Sequence, residues 1–356
     1  MSEAPASTAL SVRRATLDDK AAWDAFVATR PEGDPLQTWA WGELNAPVGE
    51  RPVRLIVQRG DGSLAAIAQV LVRAAGIGRS ILYVPHGPIW EREAPDASEI
   101  GARMVDALRD LGREQRGIVV KLDPRAVPGE PPERIEPVTR SLPHARHDLQ
   151  APTTRIVDLL GGGEGLQASW HADARRLSKR AEREGVTTGV VRDADPDVLG
   201  ALHGLLEATA ERAEFRVRSL DFLRGLAEAF AAGDGWYLVL ARFEGRPIAG
   251  VAMPRVADRA YYLYGASLRE ESLKHKYGAY AAQAAAQQAL AADGVCSLDL
   301  WGVVEADDTS ADPAWQGFSA FKRQFGGEPL RHPGTFDLVV DPLWYRLRDL
   351  RERLRG

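Results

Sequence analysis

Lys322 is the cation with the most unusual neighbours in this chain, because Phe321 and Phe325 flank it in Phe321-Lys322-Arg-Gln-Phe325-Gly-Gly. A lysine among aromatic rings has two open readings. It is a snorkelling surface amine, or it is a fixed positive charge for a developing oxyanion or a phosphate. Other rings beside glycines, in Trp39-Ala-Trp41-Gly, Tyr261-Tyr-Leu-Tyr264-Gly and Leu300-Trp301-Gly, read first as core packing. A second cluster of charge is Arg175, Arg176, Lys179, Arg180 and Arg183 against Asp173, Glu182 and Glu184, on a segment whose apolar residues Trp170, Ala174, Leu177 and Ala181 form one narrow stripe. It reads as a solvated helix face, with phosphate or RNA contact as the competing reading.

Several other chemistries lack their pattern. The histidines at 86, 144, 147, 171, 203, 275 and 332 show no ligand spacing, so no metal is expected. There is no G-x-S-x-G elbow for a serine nucleophile. Gly161–Gly165 lacks the Lys-Ser or Lys-Thr of a phosphate loop and reads as a linker. Arg73-Ala-Ala-Gly-Ile-Gly78 fits the R-x-x-G-x-G string that cradles the pyrophosphate of coenzyme A, but it falls between two strand patterns. The chemistry needs a helix N-terminus, so a glycine turn is the expectation.

The elements that must position these groups repeat. Strand patterns at 52–58, 65–72 and 80–84 precede a helix over 98–116 and a strand over 118–123. The same order returns at 235–241, 248–253 and 259–264, with a helix over 279–292 and a strand over 296–301. A proline-rich stretch from Pro124 to Pro152 separates the rounds, and one helix is predicted over 166–184. Asp123 and Asp299 close equivalent strands. The pattern predicts an α/β (α+β) protein of two mixed-sheet units related by duplication.

Composition sets the limits. The chain has 356 residues, 45% hydrophobic and 27% charged, enough for two globular domains. Its net charge of −5 argues against a dedicated nucleic-acid coat while allowing a local basic patch. A single cysteine excludes a disulfide framework. No apolar run reaches the roughly 18 residues of a membrane span, and Met1–Leu10 lacks a basic apolar leader, so a cytoplasmic location is expected.

Taken in order, several pieces resemble the Fem family of aminoacyl-tRNA-dependent peptidoglycan ligases. They are Gln37–Glu43, Tyr83–Pro88, Lys121–Pro124, Thr154–Leu159, Arg175–Gly185, Thr209-x-x-Arg212-x-x-Phe215, Tyr262–Ser267, Leu298–Gly302 and Phe321–Gly326. The resemblance implies two tandem acetyltransferase-like (GNAT-type) domains, 1–158 with 327–356 and 159–326. It implies transfer of an amino acid from aminoacyl-tRNA, the donor co-substrate, to an amine of a UDP-linked or lipid-linked muramyl pentapeptide. No cofactor and no metal are needed, and a monomer with at most peripheral membrane contact is expected. By the same resemblance Lys322 is the catalytic cation, Phe321 lines its channel and Asp123 faces the acceptor amine. Arg218 and Tyr264 hold the precursor, and Arg175, Arg176, Lys179 and Arg180 are candidates for tRNA contact. Trp41 and Asn45 belong to the precursor side. Two departures stand out: Asn45 where many members place a lysine, and Phe222 where a tyrosine is frequent. They motivate an alternative, an acyltransferase of the same fold using coenzyme A or charged tRNA on a small amine. The basic helix motivates another, a noncatalytic module binding RNA or an anionic lipid headgroup.

Overall fold

Short turns at 59–63 and 244–245, between runs of β-branched and apolar residues, dictate antiparallel hairpins, and each seeds a sheet. The computed structural model describes residues 9–213, 216–307 and 313–353. In chain order it runs β1 (Ser11–Arg14), α1 (Lys20–Thr29), α2 (Trp39–Asn45), β2 (Glu50–Gln58), β3 (Leu64–Gly76), β4 (Arg79–Val84), β5 (Ile89–Trp90), α3 (Ala97–Glu114), β6 (Gly117–Leu122) and α4 (Glu136–Thr139). Then follow β7 (Thr153–Asp158), α5 (Gly162–Ser169), α6 (Ala172–Arg183), β8 (Val186–Val191), α7 (Pro196–Ala213), α8 (Leu220–Ala231), β9 (Trp236–Phe243), β10 (Arg246–Val256), β11 (Arg259–Tyr261), β12 (Tyr264–Ser267), α9 (Gly278–Ala292), β13 (Ser297–Asp299), α10 (Pro313–Arg323) and β14 (Glu328–Arg331). The last elements are β15 (Phe336–Val339) and α11 (Pro342–Arg353).

One unit holds residues 1–152 and 332–356, the other 153–331. The expected boundaries at 158/159 and 326/327 are corrected, because β7 and β14 pair with each other in the second sheet. The first sheet runs β1-β2-β3-β4-β6-β15 and the second β14-β7-β13-β11-β10-β9-β8. Their pairing matches except that β14 has no counterpart in the first sheet. β4 and β6 are parallel, as are β11 and β13, and the neighbouring pairs are antiparallel. The place that β7 takes beside β13 is taken beside β6 by β15, which returns from beyond the second unit.

In the first unit α3 lays Ile100, Met104, Leu108 and Leu111 against Leu55, Val70, Leu82 and Val120. In the second, α9 presents Ala282 and Ala286 to Tyr237, Val239 and Ala249, the small side chains admitting a close approach. The helix expected over 166–184 is two helices. Trp170 is extended, His171 caps α6 by accepting from the Asp173 amide, and Gly162–Gly165, expected as part of a loop, joins 166–169 in the separate helix α5. Trp170 Nε1 donates to Gln287 Oε1 at 2.7 Å, which anchors the break. The strand expected over 259–264 is also two, β11 and β12. After Tyr261 the chain stays beside β10 and leaves β13.

Candidate active site

Where parallel strands end side by side, a sheet opens at their carboxyl ends, and both units place polar groups there. In the second unit Asp299 ends β13. It is 5% exposed and accepts from the Thr154 hydroxyl and, at 2.7 Å, from the Trp301 amide. The Tyr262 amide donates to its carbonyl at 2.8 Å. Over this opening α10 places Lys322, 3% exposed. Its Nζ donates to the Gly302 carbonyl at 3.0 Å and lies 4.1 Å from the ring centre of Phe318 and 4.7 Å from that of Tyr262. Burial drops the ammonium to a pKa of about 7, against the opposing pull of Asp299. The snorkelling reading is therefore overturned.

The rings about Lys322 are not the expected ones. Phe321 points into a stack with Tyr280 at 5.1 Å and Phe325 at 5.3 Å, and Phe325 meets Trp170 at 5.3 Å. Neighbours on a helix face directions about 100° apart, so Phe321 and Lys322 serve different surfaces. Tyr262 packs its hydroxyl against Gly265, whose small size the contact requires. Tyr264 is half-buried, and burial pushes its phenol up to about 12 while Arg218 opposes the shift. The Arg218 guanidinium lies 4.7 Å from the ring centre of Phe222, which is buried in the first turn of α8 and capped by Ser219. Arg218, Phe222 and Tyr264 thus share one neighbourhood. Phe215 and the side chain of Arg212 lie outside the described residues.

On α6 the basic residues divide. Arg175 Nη1 turns back on the carbonyls of Gln167, Ala168 and Trp170 and closes the end of α5. This is a structural role, which corrects its place among the tRNA candidates. Arg176 pairs with Asp173 at 2.7 Å, Arg180 lies 5.3 Å from the ring centre of Tyr277, and Lys179 is exposed.

In the first unit Asp123 follows β6 as Asp299 ends β13. It is 5% exposed and accepts from Tyr83 Oη at 2.6 Å and from the Thr335 hydroxyl. Burial raises its pKa, and those two hydrogen bonds oppose the rise. A small cavity beside it is lined by His86, Gln150, Pro152, His332 and Gly334. His86 Nδ1 meets Asp34, which Arg125 approaches at 3.4 Å. Burial holds the His332 imidazole well below its ordinary value. Asp34, His86 and His332 are the members sequence reasoning missed. Separations of 52 residues and more left no local spacing to detect.

Trp41 is half-buried on α2. Asn45 is fully buried and donates to the Trp41 carbonyl at 2.7 Å. Its expected place as a precursor contact is corrected: the amide closes its own helix. Arg73–Gly78 lies on the β3–β4 hairpin, with Gly76 paired to Arg79, and no helix begins there. Among the described residues no group of three His, Cys, Asp or Glu side chains is disposed to hold a metal ion, and no helix is long and apolar enough to cross a membrane.

Tandem mixed sheets of this pairing, each opened at a parallel strand pair, are the tandem form of the acetyltransferase (GNAT) fold. The acetyltransferase (GNAT) domain family matches residues 168–323. A crystal structure of FemX superposes with a TM-score of 0.80 at 17% identity, covering 95% of this chain and 99% of that one. A tandem GNAT protein from the clavulanic acid biosynthesis pathway superposes at 0.57 with 12% identity, covering 94% and 99%. The lipid II:glycine glycyltransferase of Staphylococcus aureus (strain bovine RF122 / ET3-1) is 20% identical over 409 aligned residues, 93% of this chain and 94% of that protein. The chain thus has two tandem GNAT-type folds, and along nearly its whole length it is similar to FemX and to a lipid II:glycine glycyltransferase.

Proposed function

We propose that this protein moves an amino acid from the ester of an aminoacyl-tRNA to an amine of a peptidoglycan precursor stem peptide, carried as a UDP-linked or lipid-linked muramyl pentapeptide. The observation that carries the reading is the Lys322 amine, held at a sheet opening by the Gly302 carbonyl and two rings. The relatives named for glycyl transfer to lipid II support it. The acceptor nitrogen attacks the ester carbonyl, a new C–N bond forms, and the C–O bond to the tRNA breaks, its hydroxyl leaving with the proton lost by the amine. The ester supplies the activation, so neither metal, nucleotide nor covalent enzyme intermediate is required. In a desolvated site an ammonium stabilises the tetrahedral oxyanion more strongly than it does in water. Arg218 and Tyr264 hold the precursor, and Arg176, Lys179 and Arg180 meet tRNA phosphates. Charged tRNA places the reaction in the cytoplasm.

The test is transfer of radiolabel from mixed aminoacyl-tRNAs to UDP-linked and lipid-linked muramyl pentapeptide. Wild type labels one of them and Lys322→Met loses at least about 100-fold in rate. With the ammonium as the working form, kcat/KM falls as pH rises through about 7; a fall in the opposite direction makes Lys322 a base instead. No label on either acceptor sinks the reading. A second reading, acyl transfer from coenzyme A to a small amine, is favoured by the buried Asn45 and the hydroxyl-free Phe222, which leave the precursor without those two contacts. Product from acetyl-coenzyme A in a parallel assay selects it.

A further inference from the structure

Helix α11 carries an apolar face that the fold does not use. Leu343 is 65%, Leu347 49% and Leu350 56% exposed. At about 100° per residue these leucines span about 60° of arc, with Arg346 on one border and Arg351 on the other. Both arginines are exposed, and among the described residues neither forms an ion pair. The opposite side is what fixes the helix. Tyr345 Oη donates to Asp337 at 2.7 Å, and Arg79, paired with Asp341 at 3.1 Å, lies 5.2 Å from the ring centre of Trp344. Arg348 and Asp349 are half-buried on that inward side.

We propose that this face of α11 lies on the surface of an anionic phospholipid bilayer. A leucine ridge bordered by arginines suits such a surface. The leucines enter the acyl boundary while the guanidinium groups stay at headgroup level and meet phosphate. Charge selects this occupant. The two bordering arginines complement an acidic headgroup layer at contact distance, whereas two copies of this face brought together would set arginines near arginines; the chain's net charge of −5 acts at longer range, is screened by salt, and opposes a second copy and a bilayer alike. The leucine positions make no use of burial within the fold, and the helix is held without them. The inference does not depend on which donor or acceptor the transferase uses.

The test is co-sedimentation of the full chain with sucrose-loaded vesicles of phosphatidylcholine, with and without phosphatidylglycerol. Wild type partitions to the phosphatidylglycerol vesicles. Leu343→Gln with Leu347→Gln and Leu350→Gln lowers the partition coefficient by at least about tenfold. Arg346→Gln with Arg351→Gln lowers it by about fivefold for each charge removed, and only on the anionic vesicles. Unchanged circular dichroism and melting show that both variants fold, and the arginine variant alone decides if the leucine variant does not. Three results overturn the proposal: wild type stays in the supernatant; the leucine variant binds as wild type does; or sedimentation velocity shows a wild-type dimer that the leucine variant dissolves.

Discussion

Lys322→Met is expected to stabilise the protein at neutral pH, by an amount that shrinks as the pH rises. Burial lowers the ammonium from 10.5 to about 7. Above about 10.5 the amine is neutral in both folded and unfolded chains, and its charge costs nothing. Between about 7 and 10.5 the unfolded chain binds a proton that the native fold does not. Stability therefore falls as pH falls, by about 1.4 kcal/mol per unit, and below about 7 the loss is complete. The span of about 3.5 units sets a ceiling near 5 kcal/mol, and about 4 kcal/mol is already lost at pH 7. Methionine fills similar volume and carries no charge, but it gives up the Gly302 hydrogen bond and the ring contacts, worth about 1 kcal/mol each. A net gain of about 2 kcal/mol at pH 7 follows. Urea unfolding followed by tryptophan fluorescence, on both proteins at about pH 7, 8 and 9, measures the gap, which closes by about 1.4 kcal/mol per unit. A gap that does not change with pH, or a variant less stable throughout, refutes the reasoning.

Gly265→Ala places a Cβ 1.7 Å from the Tyr262 hydroxyl, so the ring leaves its place beside Lys322. A loss of about 1–3 kcal/mol in thermal melts accompanies slower transfer, and an unchanged melt contradicts the packing argument. Arg175→Ala frees the carbonyls at the end of α5 and costs about 1 kcal/mol, whereas Lys179→Ala leaves the melt where it was; equal effects on stability contradict the division of the basic face. Lys121→Met strands the Asp337 carboxylate, which Lys121 Nζ meets at 2.6 Å, with Tyr345 as its remaining donor. Denaturant curves show a loss of about 3–5 kcal/mol, which Lys121→Met with Asp337→Leu largely restores.

The hairpins, α3 and the strands leading to Asp123 and Asp299 were legible because alternation, turn glycines and 3–4 spacing are local signals. The break at Trp170 was not. Leu166, Gln167 and Ala168 before it and Ala172, Ala174 and Arg175 after it are good helix formers, and the partners that favour an extended Trp170, Gln287 and the capping Arg175, come from tertiary contact or the following helix. Lys322 was legible as a lysine among rings, but its partners Tyr262 and Gly302 lie 60 and 20 residues away, and sequence proximity pointed instead to Phe321. Asn45 shows the opposite failure. Alignment to a family position says nothing of orientation, and one hydrogen bond to the Trp41 carbonyl turns it inward.

The return of β15 to the first sheet has a consequence for how the molecule is made. Residues 153–331 are contiguous and can close their own core as soon as they emerge from the ribosome. The first unit has no such independence. Until β15 is synthesised, β6 is a bare sheet edge, Lys121 has no Asp337, and Asp123 has no Thr335. Assembly thus runs against the order of synthesis, with the later half maturing first. A premature stop shortly after residue 331 leaves the second unit whole and the first unfinished, a half-built product for proteases to remove.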